Sequence, residues 1–309
     1  MNQTQLQQAL KHHFNFDVFR EGQGQTISQL LAGHSSLAVF PTGSGKSLCY
    51  QLTALLLPHL TLVVSPLLAL MKDQVDFLNS KGIAAASLDS SLDKDSYFDV
   101  VNRVRQGEIK ILMVSVERFK NERFRQFINS VAISMLVVDE AHCISAWGHD
   151  FRPEYTRLQF LKSQFSGTPI IALTATADKL TRQDIAQQLS LQEPRTFIAS
   201  FDRPNLSLSV RPGQKRFEQI LDFIRAHPDQ SGIIYCLSRK STEKLASQLN
   251  AKGITAEAYH AGLSAHERSL VQENCIKDTT PIICATIACG MGIDKSNVRW
   301  VIHYNLPKN

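Results

Sequence analysis

The chain has 309 residues, of which 43% are hydrophobic and 20% are charged, with 15 glycines and 11 prolines. This composition supports a buried core and excludes a disordered, collagen-like or low-complexity chain. The length predicts about two domains, since single domains usually have ~100–200 residues. The net charge of +5 permits a polyanionic partner but does not require one.

No secretion or membrane segment is expected. The first fourteen residues are polar and lack the apolar core of a signal peptide. Residues 47–71 carry no formal charge, but prolines and polar residues interrupt them, so we interpret this stretch as a buried helix and a buried strand. The six cysteines include no C-x-x-C pair, which argues against disulfides and common structural zinc spacings. We expect a reducing, intracellular compartment, the cytoplasm or nucleoid of a bacterial-type cell.

Short apolar runs alternate with helical patterns along the whole chain. The strand-like runs are 36–40, 61–65, 109–115, 134–139, 169–173, 196–200, 231–236, 254–259, 281–286 and 299–304. The helical patterns include 68–78, 181–189, 217–225 and 242–249. Continuous Val, Ile and Leu runs are typical of parallel strands covered on both faces, so the predicted class is α/β with parallel central sheets.

A domain boundary is expected near 200–211, where the segment SFDRPNLSLSVRP (200–212) carries two prolines and few apolar residues. The prediction is an N-terminal domain at 1–199, a linker at 200–211 and a shorter C-terminal domain of the same kind at 212–309. Parallel sheets of this type bind their ligands at the carboxyl edge of the strands.

The segment SLAVFPTGSGKSLCYQL (36–52) runs from an apolar strand through a glycine loop into a helix. Such a loop can surround phosphate oxygens with backbone amides, the lysine reaches the β/γ phosphates, and the hydroxyl after it binds Mg²⁺. The strict pattern has glycine where this chain has Phe40. The alternative is a glycine turn with a solvated lysine. The predicted phosphate-binding residues are Thr42, Gly43, Ser44, Gly45, Lys46 and Ser47.

A second segment, MLVVDE (135–140), ends a strand-like run in two carboxylates. Asp139 is placed to hold Mg²⁺, and Glu140 to orient and deprotonate the water that attacks the γ-phosphate. The alternative is an acidic strand end, which is common on surfaces. Together with the glycine loop upstream, the pair predicts a nucleoside triphosphatase with ATP and Mg²⁺ as cofactors.

The tetrapeptide DEAH at 139–142 resembles the DEAH box of superfamily 2 helicases, and CISAWGHDFRPEY (143–155) resembles the aromatic-rich loop of RecQ-family DNA helicases. Trp147 and Phe151 offer flat faces for unpaired bases, a contact worth ~1–3 kcal/mol per base, and Arg152 offers charge. Burial of these aromatic residues in a core is the alternative.

Other segments resemble the same family in the same order. Phe16, Arg20 and Gln23 match the motif that binds adenine, by stacking and by hydrogen bonds, although the family often has tyrosine at the first position. SPLLALMKDQV (65–75) resembles the motif bordering the DNA track. LTATA (173–177) resembles the motif that links the nucleotide and DNA sites. The resemblance also places His142 with Lys46, Asp139 and Glu140 among the catalytic residues.

In the second half, segments 233–246, 259–263 and 284–309 resemble the later motifs of the family. The resemblance implies contacts with the DNA backbone and, for Asp294, a contact with ribose or a role in coupling. Solvated loop residues are the alternative, because phosphate contacts are chemically undemanding. The implied backbone contacts are Ser238, Arg239, His260 and Thr286.

The resemblance implies two RecA-like lobes of the P-loop NTPase fold, the second incomplete at its C-terminus. The chain stops at residue 309, before the family's arginine-rich motif VI and its zinc-binding and winged-helix region. A fragment or truncated product of a longer helicase is expected, with a shorter working molecule as the alternative. We expect nucleotide and DNA binding to persist and DNA-stimulated hydrolysis to be severely weakened.

The predicted function is that of an ATP-dependent 3′–5′ DNA helicase acting on single-stranded and on forked or junction DNA in repair and recombination. A monomer is expected. The alternatives are a non-catalytic, nucleotide-dependent DNA-binding module, an RNA helicase of the DEAD or DEAH type, and, remotely, a metabolic P-loop kinase. The aromatic segment and GMGIDKSNV (290–298) argue against the RNA helicase.

Overall fold

The computed structural model describes residues 2–305, except 67, 90–91, 148–149, 192, 201, 203–204, 287–294 and 296. The chain divides into two compact units, Met1–Leu206 and Ser207–Asn309. The linker proposed at 200–211 spans this division. None of the helices in the described ranges has the length and apolar character that a membrane span requires.

The first unit alternates helices and strands. Its helices are α1 (Gln3–Phe14), α2 (Gln23–Leu31), α3 (Lys46–Leu56), α4 (Leu68–Ser80), α5 (Lys94–Arg105), α6 (Glu122–Asn129), α7 (Phe160–Gln164) and α8 (Lys179–Gln188). Its strands are β1 (Ser36–Val39), β2 (Leu60–Val64), β3 (Ala85–Leu88), β4 (Ile111–Val114), β5 (Ile133–Val138), β6 (Ile170–Thr174) and β7 (Arg195–Ile198). Short 3₁₀ helices occupy Val116–Lys120, Ala141–Ile144 and Pro153–Gln159.

The described strands of this unit form a seven-stranded sheet in the order β3-β4-β2-β5-β6-β1-β7, and each recorded pairing is parallel. Successive strand residues face opposite sides of a sheet. Leu62 and Val64 accordingly belong to one buried cluster, whereas Val63 belongs to another. The sheet therefore has an apolar core on each face, as the continuous apolar runs predict.

The second unit repeats this arrangement on a smaller scale. It contains α9 (Arg216–Ala226), β8 (Ser231–Tyr235), α10 (Arg239–Asn250), β9 (Ala256–Tyr259), α11 (Ala265–Ile276), β10 (Ile282–Ala285) and β11 (Val298–His303). The described strands form a parallel sheet in the order β11-β8-β10-β9. Trp300 packs so closely over Gly232 that a Cβ at this position would overlap the indole ring.

The predicted α/β class with parallel sheets is confirmed, and each strand-like run of the sequence coincides with a strand. Strand β3 was not expected, because its sequence AASL has little of the β-branched or aromatic content that signals a strand. The uncharged stretch 47–71 contains helix α3 and strand β2, as predicted. Phe40, which stands where the strict phosphate-loop pattern has glycine, is buried and packs against Gly22.

Candidate nucleotide and nucleic-acid site

The glycine loop lies at the carboxyl end of β1. Gly43 and Gly45 have φ values of +77° and +81°, in the left-handed region that favours glycine. Helix α3 begins at Lys46, and no described side chain caps its first turn. The free amides and positive end of the helix dipole make this turn suited to an anion such as a phosphate group. Lys46 and Ser47 are half-buried in the turn.

The residues predicted to bind adenine hold the glycine loop in this structure. The Arg20 guanidinium donates to the carbonyl of Gly43 at 2.5 Å. The buried Gln23 amide donates to the carbonyls of Ser44 and Gly45 at 3.1 and 3.0 Å. Gly45 has a left-handed φ, and a Cβ there would lie 2.7 Å from this amide nitrogen, so any other residue is disfavoured at this position. The two side chains therefore fix the loop.

Phe16 precedes these two residues, and its ring is 53% exposed. An exposed aromatic face beside residues that contact the phosphate loop is compatible with stacking on a base. This region makes one further contact that could not be predicted from the sequence. The Glu21 carboxylate accepts the backbone N–H of Ser200 at 3.1 Å, which anchors the segment to the residues after β7.

The acidic pair follows β5, which shares with β1 the carboxyl edge of the sheet. The Asp139 N–H donates to Val64 O at 2.9 Å, and the Glu140 N–H donates to Asp139 Oδ1 at 3.0 Å. Glu140 has a φ of 47°, an unfavourable value for a residue with a side chain. Such strain persists only where the surroundings impose it, and it concentrates at functional sites.

Burial, together with the neighbouring Glu140 carboxylate, raises the pKa of Asp139 from 3.8 to about 7. The charge of Lys46 acts in the opposite direction on the same carboxyl group. Lys46 therefore lies within electrostatic range of Asp139, and the structure brings the glycine loop and the acidic pair together. A cation bound nearby would stabilise the ionised form of this carboxyl group.

The oxygen donors at this edge fit a magnesium ion. The Ser47 hydroxyl and the Asp139 carboxylate are hard oxygen ligands of the kind that Mg²⁺ takes, usually from one or two protein groups with waters and phosphates completing the shell. Bound there, the ion would neutralise charge on a triphosphate. Lys46 would add a second positive charge.

His142 lies in the 3₁₀ helix that follows the acidic pair, and it is buried. Its Nδ1 is 2.9 Å from Thr174 Oγ1 and 3.3 Å from Glu140 Oε2. The Thr174 hydroxyl donates to Thr176 O at 3.0 Å, so its oxygen is left to accept from His142. This assigns the ring proton to Nδ1. The contact connects the DEAH tetrapeptide to the LTATA segment on β6.

The aromatic segment presents its rings to solvent. Trp147 is 74% exposed and Phe151 is 41% exposed, which excludes the alternative of buried core residues. The backbone N–H of Trp147 donates to Ser145 Oγ at 3.2 Å, and the Ser145 hydroxyl donates to the Asp184 carboxylate on α8 at 2.6 Å. An exposed indole on an anchored backbone is suited to stacking with unpaired bases.

Arg152, which is expected to offer positive charge to a nucleic acid, also makes contacts within its own unit. Its guanidinium lies 3.2 Å from the Asp150 carboxylate and donates to Pro66 O at 3.1 Å. Its backbone N–H donates to Cys143 O at 2.9 Å. Part of its charge is thus compensated within the unit, and the side chain connects the aromatic segment to the residues after β2.

In the second unit, the predicted DNA contacts gather at the carboxyl edge of the sheet. Ser238 and Arg239 are exposed at the start of α10, where Ser238 accepts the N–H of Ser241 at 3.2 Å. The Thr286 N–H donates to Tyr259 O at 3.2 Å, next to the end of β9.

His260 does not present a ring nitrogen at this edge. It is buried, its Nε2 lies 3.0 Å from Glu243 Oε1, and its Nδ1 accepts the N–H of Gly262 at 3.2 Å. Both ring nitrogens are therefore used within the unit, which disagrees with a direct phosphate contact by this side chain. Its hydrogen bonds instead hold the turn after β9 against α10. Asp294, the predicted ribose contact, lies outside the described residues.

The chain matches two family models, the DEAD/DEAH box helicase model over residues 20–185 and the helicase conserved C-terminal domain over residues 215–309. The first covers more than half of the chain. The chain therefore belongs to the DEAD/DEAH box helicase family.

Within this family the chain is similar to RecQ-type helicases over its whole length. It is 48% identical over 309 residues to the ATP-dependent DNA helicase RecQ of Pasteurella multocida, covering 100% of this chain and 49% of that protein. It is 42% identical over 316 residues to the RecQ-like DNA helicase blm-1 of Caenorhabditis elegans, covering 99% of this chain and 32% of that protein. The chain spans about half the length of the bacterial RecQ relative.

Solved helicase structures have the same fold at low sequence identity. Mycobacterium smegmatis helicase Lhr, bound to single-stranded DNA and AMP-PNP, matches with a TM-score of 0.66 at 22% identity, covering 96% of this chain and 43% of that one. Saccharomyces cerevisiae Dbp5, bound to RNA and ADP BeF3, matches with a TM-score of 0.68 at 16% identity, covering 98% and 78%. These matches confirm two RecA-like lobes and the α/β fold.

Proposed function

We propose that this chain is the motor part of an ATP-dependent DNA helicase of the RecQ type. The observation that carries the proposal is that the phosphate loop after β1 and the acidic pair after β5 lie at the same carboxyl edge of one sheet, near enough for the charge of Lys46 to lower the pKa of Asp139. A phosphate-binding helix terminus and a magnesium-binding carboxylate at one sheet edge form the minimum site for a triphosphate. The similarity to RecQ proteins over the whole chain supports DNA as the nucleic acid.

In the proposed site, Thr42 and the loop amides of 43–47 bind the phosphates, with Lys46 on the β/γ phosphates. Ser47 and Asp139 hold Mg²⁺. Glu140 lies beside Asp139 and is the candidate base for the attacking water. His142 is a positioning residue, because its Nδ1 proton contacts Glu140 and the Thr174 hydroxyl.

In the first unit, nucleic-acid binding is assigned to the exposed rings Trp147 and Phe151. In the second unit, taken by itself, Ser238, Arg239 and Thr286 are the candidate contacts with the nucleic-acid backbone. Bases stacked on the rings would be recognised without sequence preference, since every base has a flat face. Hydrolysis would drive 3′–5′ translocation on single-stranded DNA and opening of forked or junction DNA. We further propose a monomer that acts at the bacterial-type nucleoid.

Binding of single-stranded DNA and of RNA of matched sequence, measured by fluorescence anisotropy with and without a nonhydrolysable ATP analogue, tests this function. We expect DNA to bind more tightly than RNA and the nucleotide to change the DNA affinity. Tighter binding of RNA would favour the RNA helicase instead. A DNA affinity that is the same with and without the nucleotide would contradict the motor assignment. Strand displacement by the chain would exclude the alternative of a non-catalytic binding module.

A further inference from the structure

Three side chains with metal-binding atoms lie close together at the end of the DEAH tetrapeptide. The cluster is on the Nε2 side of the His142 ring, away from Thr174. The three residues are His142, Cys143 and Asp150, whose ligand atoms all lie within 4.8 Å of one another. Cys143 Sγ lies 3.8 Å from His142 Nε2 and 3.8 Å from Asp150 Oδ2. His142 and Cys143 are buried, whereas Asp150 is exposed.

These distances are close to those of a tetrahedral zinc site. Zn–S bonds of about 2.3 Å and Zn–N or Zn–O bonds of about 2.0–2.2 Å place the donor atoms about 3.3–3.6 Å apart. The two contacts of the Cys143 sulfur are each 3.8 Å. The three ligand atoms lie within 4.8 Å of one another, so a movement of up to roughly 1.5 Å, chiefly by the exposed Asp150 carboxylate, would bring the three groups around one ion.

Neighbouring side chains orient two of the three ligands. His142 carries its proton on Nδ1, which contacts Thr174 Oγ1 at 2.9 Å, so the lone pair of Nε2 is directed to the side of Cys143. Metal-binding histidines commonly use the opposite ring nitrogen in this way. The Asp150 carboxylate is held by Arg152 at 3.2 Å.

We propose that His142, Cys143 and Asp150 bind a divalent cation of the zinc class, with solvent completing the coordination shell. On binding, the Cys143 thiol releases its proton to solvent and the sulfur–metal bond forms, with no change of oxidation state. A thiolate ligand selects zinc over magnesium, so this site is chemically distinct from the one at Ser47 and Asp139. The bound cation would fix Asp150, three residues after Trp147, to the 3₁₀ helix of the DEAH tetrapeptide.

Titration of the reduced, nucleotide-free chain with Co²⁺ tests the site, because a Co²⁺–thiolate bond has a charge-transfer absorption that carboxylate and imidazole ligands lack. The variants are Cys143→Ser, Asp150→Asn and the control Cys236→Ser, which changes a buried cysteine of the second unit. We expect one equivalent of Co²⁺ to produce the band and Zn²⁺ to remove it by competition. Cys143→Ser should abolish the band, Asp150→Asn should weaken binding at least ~10-fold, and the control should match wild type.

The proposal is overturned by the absence of a thiolate band in wild type, by its persistence in Cys143→Ser, or by wild-type affinity in Asp150→Asn. Circular dichroism checks that each variant is folded. Should Cys143→Ser fail to fold, Asp150→Asn decides alone, since this exposed asparagine still accepts a hydrogen bond from Arg152 and keeps the size of the side chain. The readout is metal binding and does not depend on hydrolysis or on the proposed function.

Discussion

Replacing Asp139 by asparagine should stabilise the metal-free protein at alkaline pH. Burial and Glu140 raise the pKa of Asp139 from 3.8 to about 7, so the folded state holds an ionised carboxylate unfavourably above pH 7. A difference of about three pKa units corresponds to a ceiling of about 4 kcal/mol. Water reaches the half-buried side chain, so we expect a gain of about 2 kcal/mol at pH 8.

The pH dependence follows from the sign of the shift. A group with a raised folded-state pKa contributes its full stability below the unfolded value of 3.8 and loses it as the pH rises through about 7. The advantage of asparagine should therefore be near zero below pH 3.8, about a third of its maximum at pH 5, and complete at pH 8. The Glu140 N–H can still donate to the asparagine oxygen.

Calorimetry of the full chain in a chelator measures this effect. For a unit of about 200 residues, 2 kcal/mol raises the melting temperature by roughly 4–8 °C. Asp17→Asn is the control, since it removes the same charge at an 80% exposed side chain whose surface ion pair with Lys11 contributes less than about 1 kcal/mol at any pH of the experiment. Equal melting temperatures for Asp139→Asn and wild type at pH 8, or a gain that is as large at pH 5, would refute the reasoning.

Two further substitutions test other parts of the site. Trp147→Ala should weaken single-stranded DNA binding by the ~1–3 kcal/mol of one lost stack, about 5- to 150-fold, and leave nucleotide affinity unchanged. Anisotropy titrations measure this, and unchanged DNA affinity would remove the indole from the interface. Gln23→Ala deletes the donor to Ser44 and Gly45 and should lower the free energy of unfolding by about 1–2 kcal/mol in urea. An unaltered urea midpoint would show that these two bonds do not hold the loop.

The sequence predicts the sheets well because their strands are buried on both faces, and burial demands continuous apolar runs such as those of β2 and β5. Strand β3 could not be predicted in this way, since its sequence AASL is short and lacks the β-branched and aromatic residues typical of strands. The convergence of Lys46 and Asp139 could also be anticipated, because parallel strands bring their carboxyl ends to one edge.

Side-chain partners could not be predicted, because they depend on packing between segments far apart in sequence. Gln23 contacts a loop 21 and 22 residues away, and Arg152 contacts a carbonyl 86 residues away. The contact between the buried His260 ring and Glu243 likewise depends on how α10 packs on β9. The cluster of His142, Cys143 and Asp150 was also missed, because its spacing matches no common zinc motif.

The central claim is that the phosphate loop and the acidic pair bind one triphosphate through a shared magnesium ion. Titration of the chain with a fluorescent, nonhydrolysable ATP analogue, with and without Mg²⁺, tests it most directly in wild type, Lys46→Ala and Asp139→Asn. We expect Mg²⁺ to tighten binding to wild type but not to Asp139→Asn, and Lys46→Ala to weaken binding at least ~10-fold, the loss of about one charge-assisted contact. Binding that is unchanged in Lys46→Ala, or a full magnesium effect in Asp139→Asn, would contradict the account.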